Sequence, residues 1–380
     1  MGDDTRYMMR AIDLAKRAEG YTSPNPMVGC VLVREGRIVG EGFHARPGTA
    51  HAEANALRSA GDEARGATAY VTLEPCNHHG SNPPCSTGLI KAGIAEVVYA
   101  VPDPNPVAAG GADALRAAGI TVRTGLCTDE ARHLIRFWLH HIQQGSPYVI
   151  AKFAASLDGK IATRGGESQW ITSDAARLRG HDLRQACDAI IVGVDTVIAD
   201  NPSLTARPNL PAGHRDAAHP LRVILDSSGR VPIESKVFRS TTPGKTLLAT
   251  TAAMPALKEQ ALRARGVDVV RLPASATGRP ELEALLEALH TRGVLSCMVE
   301  GGGKTLGSFF DAQLVNEVWA FIAPLVIGGN APGPVSGVGI EFLRDAFRLQ
   351  NTEIENLEAT MLMRGQVVAK SMEASCSQAS

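Results

Sequence analysis

Two runs of alternating strand and helix signals, divided by the breaker triplet Gly145-Ser146-Pro147, constrain this chain more than any other feature. The first run opens with a charged amphipathic pattern to about residue 19 and continues with a strand at 28–33 (VGCVLV), a helix after His51, and strands at ATAYVTL and AEVVYAV. The segment from His133 to Gln144 reads as one more helix, which the triplet ends. In the second run, strand signals recur at YVIAKFAAS, AIIVGV, LRVILD, KTLLAT, VDVVRL, LSCMVE and VWAFIAPLVIG, interleaved with helical patterns such as ELEALLEALHTRG at 281–293. Such alternation implies largely parallel sheets with covering helices. At 380 residues, against roughly 100–200 per domain, two α/β domains are expected, 1–147 and 148–370. The small, polar residues 371–380 read as a disordered tail.

Charge excludes some partners. With 38 basic and 39 acidic side chains well mixed and a net charge of -1, no global field draws the chain to nucleic acid or anionic lipid. A small-molecule substrate is expected. No stretch of 18 apolar residues occurs and the N-terminus lacks an apolar leader core, so the chain reads as cytoplasmic, with homo-oligomerisation left open. Seven cysteines, at 30, 76, 85, 127, 187, 297 and 376, are too sparse for a disulfide framework and read as buried or metal-bound thiols.

His51-Ala52-Glu53 opens a helix, Pro75-Cys76 follows a strand, and a second thiol stands at Cys85. Zinc catalysis needs three protein ligands and leaves the fourth tetrahedral position for a water whose pKa falls to about 7. His51, Cys76 and Cys85 supply that set, and Glu53 is the carboxylate that would shuttle protons without ligating. A lone His-x-Glu is common on surface helices; the two thiols change its meaning. A closed structural site would need a fourth ligand, for which only His78 and His79 stand close in sequence.

This motif resembles the zinc nucleobase deaminases and, within them, the pyrimidine deaminases of riboflavin biosynthesis. The usual two residues between the cysteines are replaced by eight, Asn-His-His-Gly-Ser-Asn-Pro-Pro, as in the riboflavin branch. Asn77 stands where that branch often has Ser, a tolerated change. The stretch Thr22-Ser23-Pro24-Asn25-Pro26, followed by Val28-Gly29-Cys30-Val31, resembles the family's opening motif, which implies that Asn25 contacts substrate.

In the second run, Lys152 to Lys160 is a strand ending in an Asp158-Gly159 turn, read as a loop projecting from a sheet edge. Gly301, Gly302 and Gly303 lie between strand and helix signals, where backbone can approach a pyrophosphate and aim N–H groups at it. Met298 occupies the place of a Walker A glycine, and the run lies too late for an opening Rossmann unit. In order, these segments resemble the reductase domain that accompanies the deaminase in bifunctional riboflavin enzymes, which implies a dihydrofolate-reductase-like fold and NADPH. The resemblance assigns Ala155, Trp170, Thr196, Asp200, Ser227 and the loop Gly301, Gly302, Gly303, Lys304, Thr305, Leu306 and Gly307 to the cofactor. It assigns Ser168, Arg184, Leu204, Arg207 and Glu300 to the substrate, with Lys152 as a polar partner. Arg184 and Arg207 suit a ribose 5-phosphate because guanidinium forks bind phosphate in bidentate fashion. Gly302 is expected to need open space and a φ above zero.

The reading is a cytidine-deaminase-like α/β/α domain holding Zn2+, joined to a dihydrofolate-reductase-like α/β domain holding NADPH. Its substrate would be a pyrimidine ribose phosphate, deaminated and then reduced from ribosyl to ribityl. Two rivals are a nucleoside or RNA deaminase with a degenerate C-terminal binding domain, and a zinc-stabilised scaffold without catalysis. Balanced charge and cysteine spacing oppose the first; Glu53 beside three ligands opposes the second.

Overall fold

Strands that are apolar at nearly every residue must bury both faces, and such strands dominate both halves. The structure, a computed structural model, describes residues 3–80, 83–208 and 218–368; the tail expected at 371–380 lies outside them. It separates into two compact units between Ser146 and Pro147.

The first unit runs α1 (Asp3–Lys16), β1 (Gly29–Arg34), β2 (Arg37–Phe43), α2 (Ala52–Ala60), β3 (Thr68–Leu73), α3 (Cys85–Ala92), β4 (Glu96–Val101), α4 (Gly111–Ala117), β5 (Thr121–Thr124), α5 (Thr128–Leu134) and α6 (Arg136–Gln144). Its sheet has the order β2-β1-β3-β4-β5, with β1 antiparallel to β2 and β3 and the last three strands parallel. Ala52, Ala56 and Ala60 of α2 join Leu89 and Leu115 in one core. Close packing of α2 on β2 requires glycine: a Cβ on Gly42 would stand 2.3 Å from the Ala52 carbonyl oxygen, and one on Gly40 2.4 Å from that of Ala56. That approach sets the start of α2, and so His51 and Glu53, over the sheet.

The single helix expected over His133 to Gln144 is instead two, α5 and α6, meeting at Ile135 (φ -102°, ψ 19°). The break lets consecutive Leu134 and Ile135 both bury, whereas a straight helix sets neighbours about 100° apart. The first helix also ends earlier than residue 19, at Lys16.

The second unit runs β6 (Tyr148–Ser156), α7 (Asp174–Ala186), β7 (Ala189–Gly193), α8 (Val194–Asp200), β8 (Leu221–Leu225), β9 (Thr246–Thr250), α9 (Ala256–Arg263), β10 (Asp268–Arg271), α10 (Leu282–His290), β11 (Ser296–Val299), α11 (Gly303–Asp311), β12 (Glu317–Ala323), β13 (Leu349–Leu357) and β14 (Thr360–Val367). Its nine-stranded sheet has the order β10-β9-β8-β7-β11-β6-β12-β14-β13, with every pairing parallel except those that β14 makes with β12 and β13. The chain steps outward from β7 to β10 and then returns to insert β11 between β7 and β6. Parallel sheets collect ligands at such a reversal, beyond the strands' carboxyl ends. Leu282, Leu285, Leu286 and Leu289 of α10 bury into this core, where truncating one to Ala costs about 2–5 kcal/mol. Since β6 lies between β11 and β12, the Asp158-Gly159 turn leaves the carboxyl end of an interior strand, correcting the expected sheet edge. There the Asp158 carboxylate accepts from Ile327 N at 3.0 Å and Gly328 N at 2.7 Å, tying the loops after β6 and β12 together. Among the described residues, no helix is long and apolar enough to cross a membrane.

Candidate active sites

In the first unit the Cys76 loop is clamped before it reaches the site. Glu74, at the end of β3, accepts from Asp103 N at 3.2 Å and Ala112 N at 3.0 Å. Gly111, at the start of α4, sits so close that a Cβ would lie 1.7 Å from the Pro75 carbonyl oxygen. His51 caps the start of α2 and Cys85 opens α3, so two helix N-termini, which favour thiolate, face one point.

His51 Nδ1 lies 3.3 Å from Cys85 Sγ and 3.6 Å from Cys76 Sγ, and the three donor atoms all fall within 4.8 Å of one another. Tetrahedral zinc with ordinary bond lengths separates such donors by about 3.5–3.8 Å, so one imidazole and two thiols gathered this closely suit the ion. Among the described residues the donor group has no fourth member; His78 lines the neighbouring cavity, and His79 is not in the group. The Cys85 thiol and His51 hold the Cys76 pKa down, against the effect of burial. Cys85 is pushed up by Cys76 and by burial. Glu53, 3% exposed, is raised first by burial and then by the Cys76 charge.

A cavity of about 320 Å³ opens beside the donors, lined among others by Asn25, His44, Glu53, His78, Asp103 and Asn105. His44 Nδ1 lies 3.3 Å from the Ala50 carbonyl, which can only accept, so Nδ1 carries the proton. Its Nε2 lone pair then receives Asn25 Nδ2–H at 3.2 Å, which orients the Asn25 amide. Burial lowers the His44 pKa and keeps the ring neutral. Asp103 accepts from Asn105 N at 2.8 Å and is raised to about 6, chiefly by burial. Sequence reasoning missed His44, Glu74, Asp103 and Asn105. The polar residues of Pro102-Asp103-Pro104-Asn105-Pro106, directly after β4, were the available signal for two of them. Asn77 accepts from Ser86 Oγ at 2.8 Å, which gives its side chain a structural place in the loop.

In the second unit Glu300 follows β11 directly, at the sheet's reversal. Its Oε1 accepts from Lys152 Nζ at 2.5 Å, and Oε2 accepts from Arg184 Nε at 2.9 Å and Nη2 at 2.7 Å. Burial would raise this carboxyl, but Arg184 and Lys152 outweigh it and hold the pKa at about 2. Arg184 Nη1 also reaches the Thr205 carbonyl at 3.2 Å. Three of the five Arg184 N–H donors thus serve Glu300 and Thr205, and one each on Nη1 and Nη2 is left over. Arg207 is exposed, with Nη2 3.3 Å from His181 Nε2.

The glycine run divides by role. A Cβ on Gly303 would stand 2.6 Å from the Gly333 carbonyl oxygen, and one on Gly307 1.6 Å from that of Ser336, so both are required by packing alone. Gly302 differs: its N–H donates to Thr196 Oγ1 at 3.2 Å, and a Cβ there would meet nothing nearer than that oxygen at 3.9 Å. The φ above zero expected at Gly302 is not found; it is -62°, an ordinary value for any residue. The open side of this helix start is a cradle that fits a phosphate. Of the remaining residues, Ala155, Leu204 and Leu306 are buried and Ser168 and Ser227 are half-buried. Asp200 is exposed, as is Trp170 at 69%, its ring stacked under the Arg177 guanidinium. Ala155 and Leu306 thus offer a ligand only backbone.

Residues 1–101 match the cytidine and deoxycytidylate deaminase zinc-binding region, and residues 147–363 match the RibD C-terminal domain. The riboflavin biosynthesis protein RibD of Bacillus amyloliquefaciens is 45% identical over 92% of this chain and 93% of its own length. The chain belongs to the RibD family. The structure of Acinetobacter baumannii RibD superposes with a TM-score of 0.86 at 37% identity, covering 97% of this chain and 99% of that one. A Thermotoga maritima structure, described as a diaminohydroxyphosphoribosylaminopyrimidine deaminase/5-amino-6-(5-phosphoribosylamino)uracil reductase, superposes at 0.82 with 34% identity, over 96% and 99% of the two chains. As a RibD family member the chain is bifunctional: a zinc-binding deaminase region is followed by a reductase domain.

Gly302 offers a clean test of the RibD cradle, because its open side lets a larger side chain fit the free protein. Gly302→Val is expected to weaken NADPH binding at least ~10-fold, about 1.4 kcal/mol, with zinc content and deamination unchanged. Nicotinamide fluorescence titration reads the affinity; a folded variant that binds NADPH normally leaves the loop as a turn.

Proposed function

We propose that the first unit deaminates 2,5-diamino-6-ribosylamino-4(3H)-pyrimidinone 5′-phosphate and that the second reduces the ribosyl group of the product to ribityl with NADPH. The observation that carries the first half is buried Glu53 beside the His51, Cys76 and Cys85 donors in a cavity sized for a small molecule. Bound zinc would lower the pKa of a water to about 7. Glu53 as the carboxylate would take a proton from the attacking water, pass it to the ring nitrogen and help ammonia leave, and burial, which raises its pKa, favours its holding that proton between the two steps. Asn25, oriented by neutral His44, is positioned to hold the pyrimidine.

In the second unit NADPH would supply hydride. The backbone of Gly301, Gly302 and Gly303, with Thr196 and Ser227, would hold it, while Asp200, Trp170 and the main chain at Ala155 would border it. Glu300 would hold Lys152 beside the ribosyl group and orient Arg184, which together with Arg207, Ser168 and Leu204 would receive the ribose phosphate end. Cys30, Cys76, Cys85, Cys127 and Cys297 are free thiols, which fits a reducing compartment, and we place the enzyme in the cytoplasm without a nucleic-acid or membrane partner.

The test is to incubate the zinc-loaded protein with the diaminopyrimidinone phosphate and follow product mass. Exchange of an amine for oxygen with release of ammonia is expected without NADPH, and a further gain of two hydrogens with it. Deamination of cytidine or an oligonucleotide in place of this substrate would move the assignment to the nucleoside or RNA class.

A further inference from the structure

On the exposed side of the Gly301–Gly303 turn, three cations approach one carboxylate. Arg230 Nη2 pairs with Asp195 Oδ1, Lys304 Nζ lies 3.9 Å from Asp195 Oδ2, and Arg279 lies close enough for its charge to act on the same group. Asp195 is held below its ordinary pKa, first by the Arg230 hydrogen bond and, against burial, by the three positive charges.

The cluster stands where three strands end. Asp195 precedes Thr196, whose Oγ1 receives the Gly302 N–H, and Lys304 follows Gly303 in α11. Arg230 lies three residues beyond Ser227, in a turn after β8. Buried Asp226 fixes that turn by accepting from Gly229 N at 3.1 Å, Arg230 N at 3.0 Å and Val231 N at 2.8 Å. Arg279 Nη1 reaches Ser308 Oγ of α11 at 3.3 Å. The carboxylates facing this corner are Asp195 and Asp226, and the second spends its lone pairs on backbone, so positive charge is in excess.

Lys304 adjoins Gly303 of the glycine turn and Asp195 adjoins Thr196, so a dinucleotide whose pyrophosphate rested there would have this cluster within reach of its adenosine ribose. NADPH and NADH differ there alone, by a phosphate carrying about -1.5 to -2 charge. Sites that prefer NADH offer the ribose diol a free carboxylate, and sites that prefer NADPH offer an Arg. Asp195 is not free, because Arg230 is bonded to Oδ1 and the Lys304 charge stands 3.9 Å from Oδ2.

We propose that Arg230 and Lys304, backed by Arg279, form the site for the 2′-phosphate of NADPH, and that Asp195 holds their side chains in place until that phosphate displaces it. The inference rests on the reading of the second unit as a dinucleotide-dependent reductase and adds the residues that choose between the two dinucleotides.

The test uses the full chain and titrates NADPH and NADH by nicotinamide fluorescence at fixed salt, with adenosine 2′-phosphate as competitor. The wild-type protein is expected to bind NADPH more tightly than NADH and to lose NADPH to the competitor. Arg230→Gln should weaken NADPH at least ~10-fold, about 1.4 kcal/mol, with NADH affinity nearly unchanged. Asp195→Asn, which releases both cations, should tighten NADPH and leave NADH alone. The Arg230 side chain is 53% exposed, so its loss should leave thermal unfolding unchanged, and that measurement accompanies each titration. Equal weakening of both nucleotides by Arg230→Gln, or none, overturns the assignment while the cofactor reading stands. A wild-type protein indifferent between the two does the same. A folded wild-type protein that binds neither nucleotide overturns the cofactor reading along with it.

Discussion

Glu53→Gln is expected to abolish deamination while the protein keeps its zinc. Proton transfer by a positioned group contributes about 10²–10⁴-fold to such reactions, and the amide removes the proton carrier while preserving shape. Glu53 lies outside the donor group of His51, Cys76 and Cys85, so the metal has no reason to leave. Stability should hold or rise slightly. Burial and the nearby Cys76 charge disfavour the ionised carboxylate, and glutamine removes that cost. Elemental analysis beside an ammonia-release assay checks both halves of the expectation. A variant that loses zinc together with activity would make Glu53 a structural member of the site. Cys76→Ser is the contrasting control, since it removes a ligand and should lose metal first.

The convergence of His51, Cys76 and Cys85 is legible in sequence because each sits at an element boundary, where hydrophobic periodicity stops and a polar or sulfur side chain stands out. Their partners are harder to see. Glu74 and His44 act by holding backbone and a neighbouring amide, and nothing in their local sequence announces which atoms they will meet across the fold. The sheet strands that bury both faces read clearly, whereas β13 and β14 did not. Most of β13 (LQNTEIENL) is exposed to solvent, so no buried face stamps a period on it. The apparent strand VWAFIAPLVIG stops at Ala323, because the apolar residues beyond it continue into a loop tied down by Asp158. The glycine run shows the same limit at finer scale. Sequence treats Gly301 to Gly307 as one phosphate loop, yet Gly303 and Gly307 are fixed by the approach of residues 333–337, leaving Gly302 as the glycine with open space before it.

Glu300→Gln is expected to cost the reductase half both activity and stability. The carboxylate, 20% exposed, neutralises Lys152 and Arg184 at once, and removing it leaves two cations facing each other in a partly buried site. Breaking one member out of a fully buried pair costs about 3–5 kcal/mol; the partial exposure here argues for the lower end. Loss of position alone at a reacting group can cost about 10²-fold in rate, and the fall should appear in kcat as well as KM because Lys152 loses its anchor. The sign of the pH dependence follows from the depressed pKa. Glu300 titrates at about 2 in the folded protein against an ordinary value of 4.5, so its stabilisation is fully present above 4.5 and is lost as pH falls through 2. Thermal unfolding of the wild-type protein should therefore lose ground to the variant across that window, while the gap between them stays constant at neutral pH. Equal unfolding temperatures for the two proteins at neutral pH would mean that water, rather than Glu300, compensates Lys152 and Arg184. Deamination should be unaffected in the same preparation, since every residue lining its cavity belongs to the first unit.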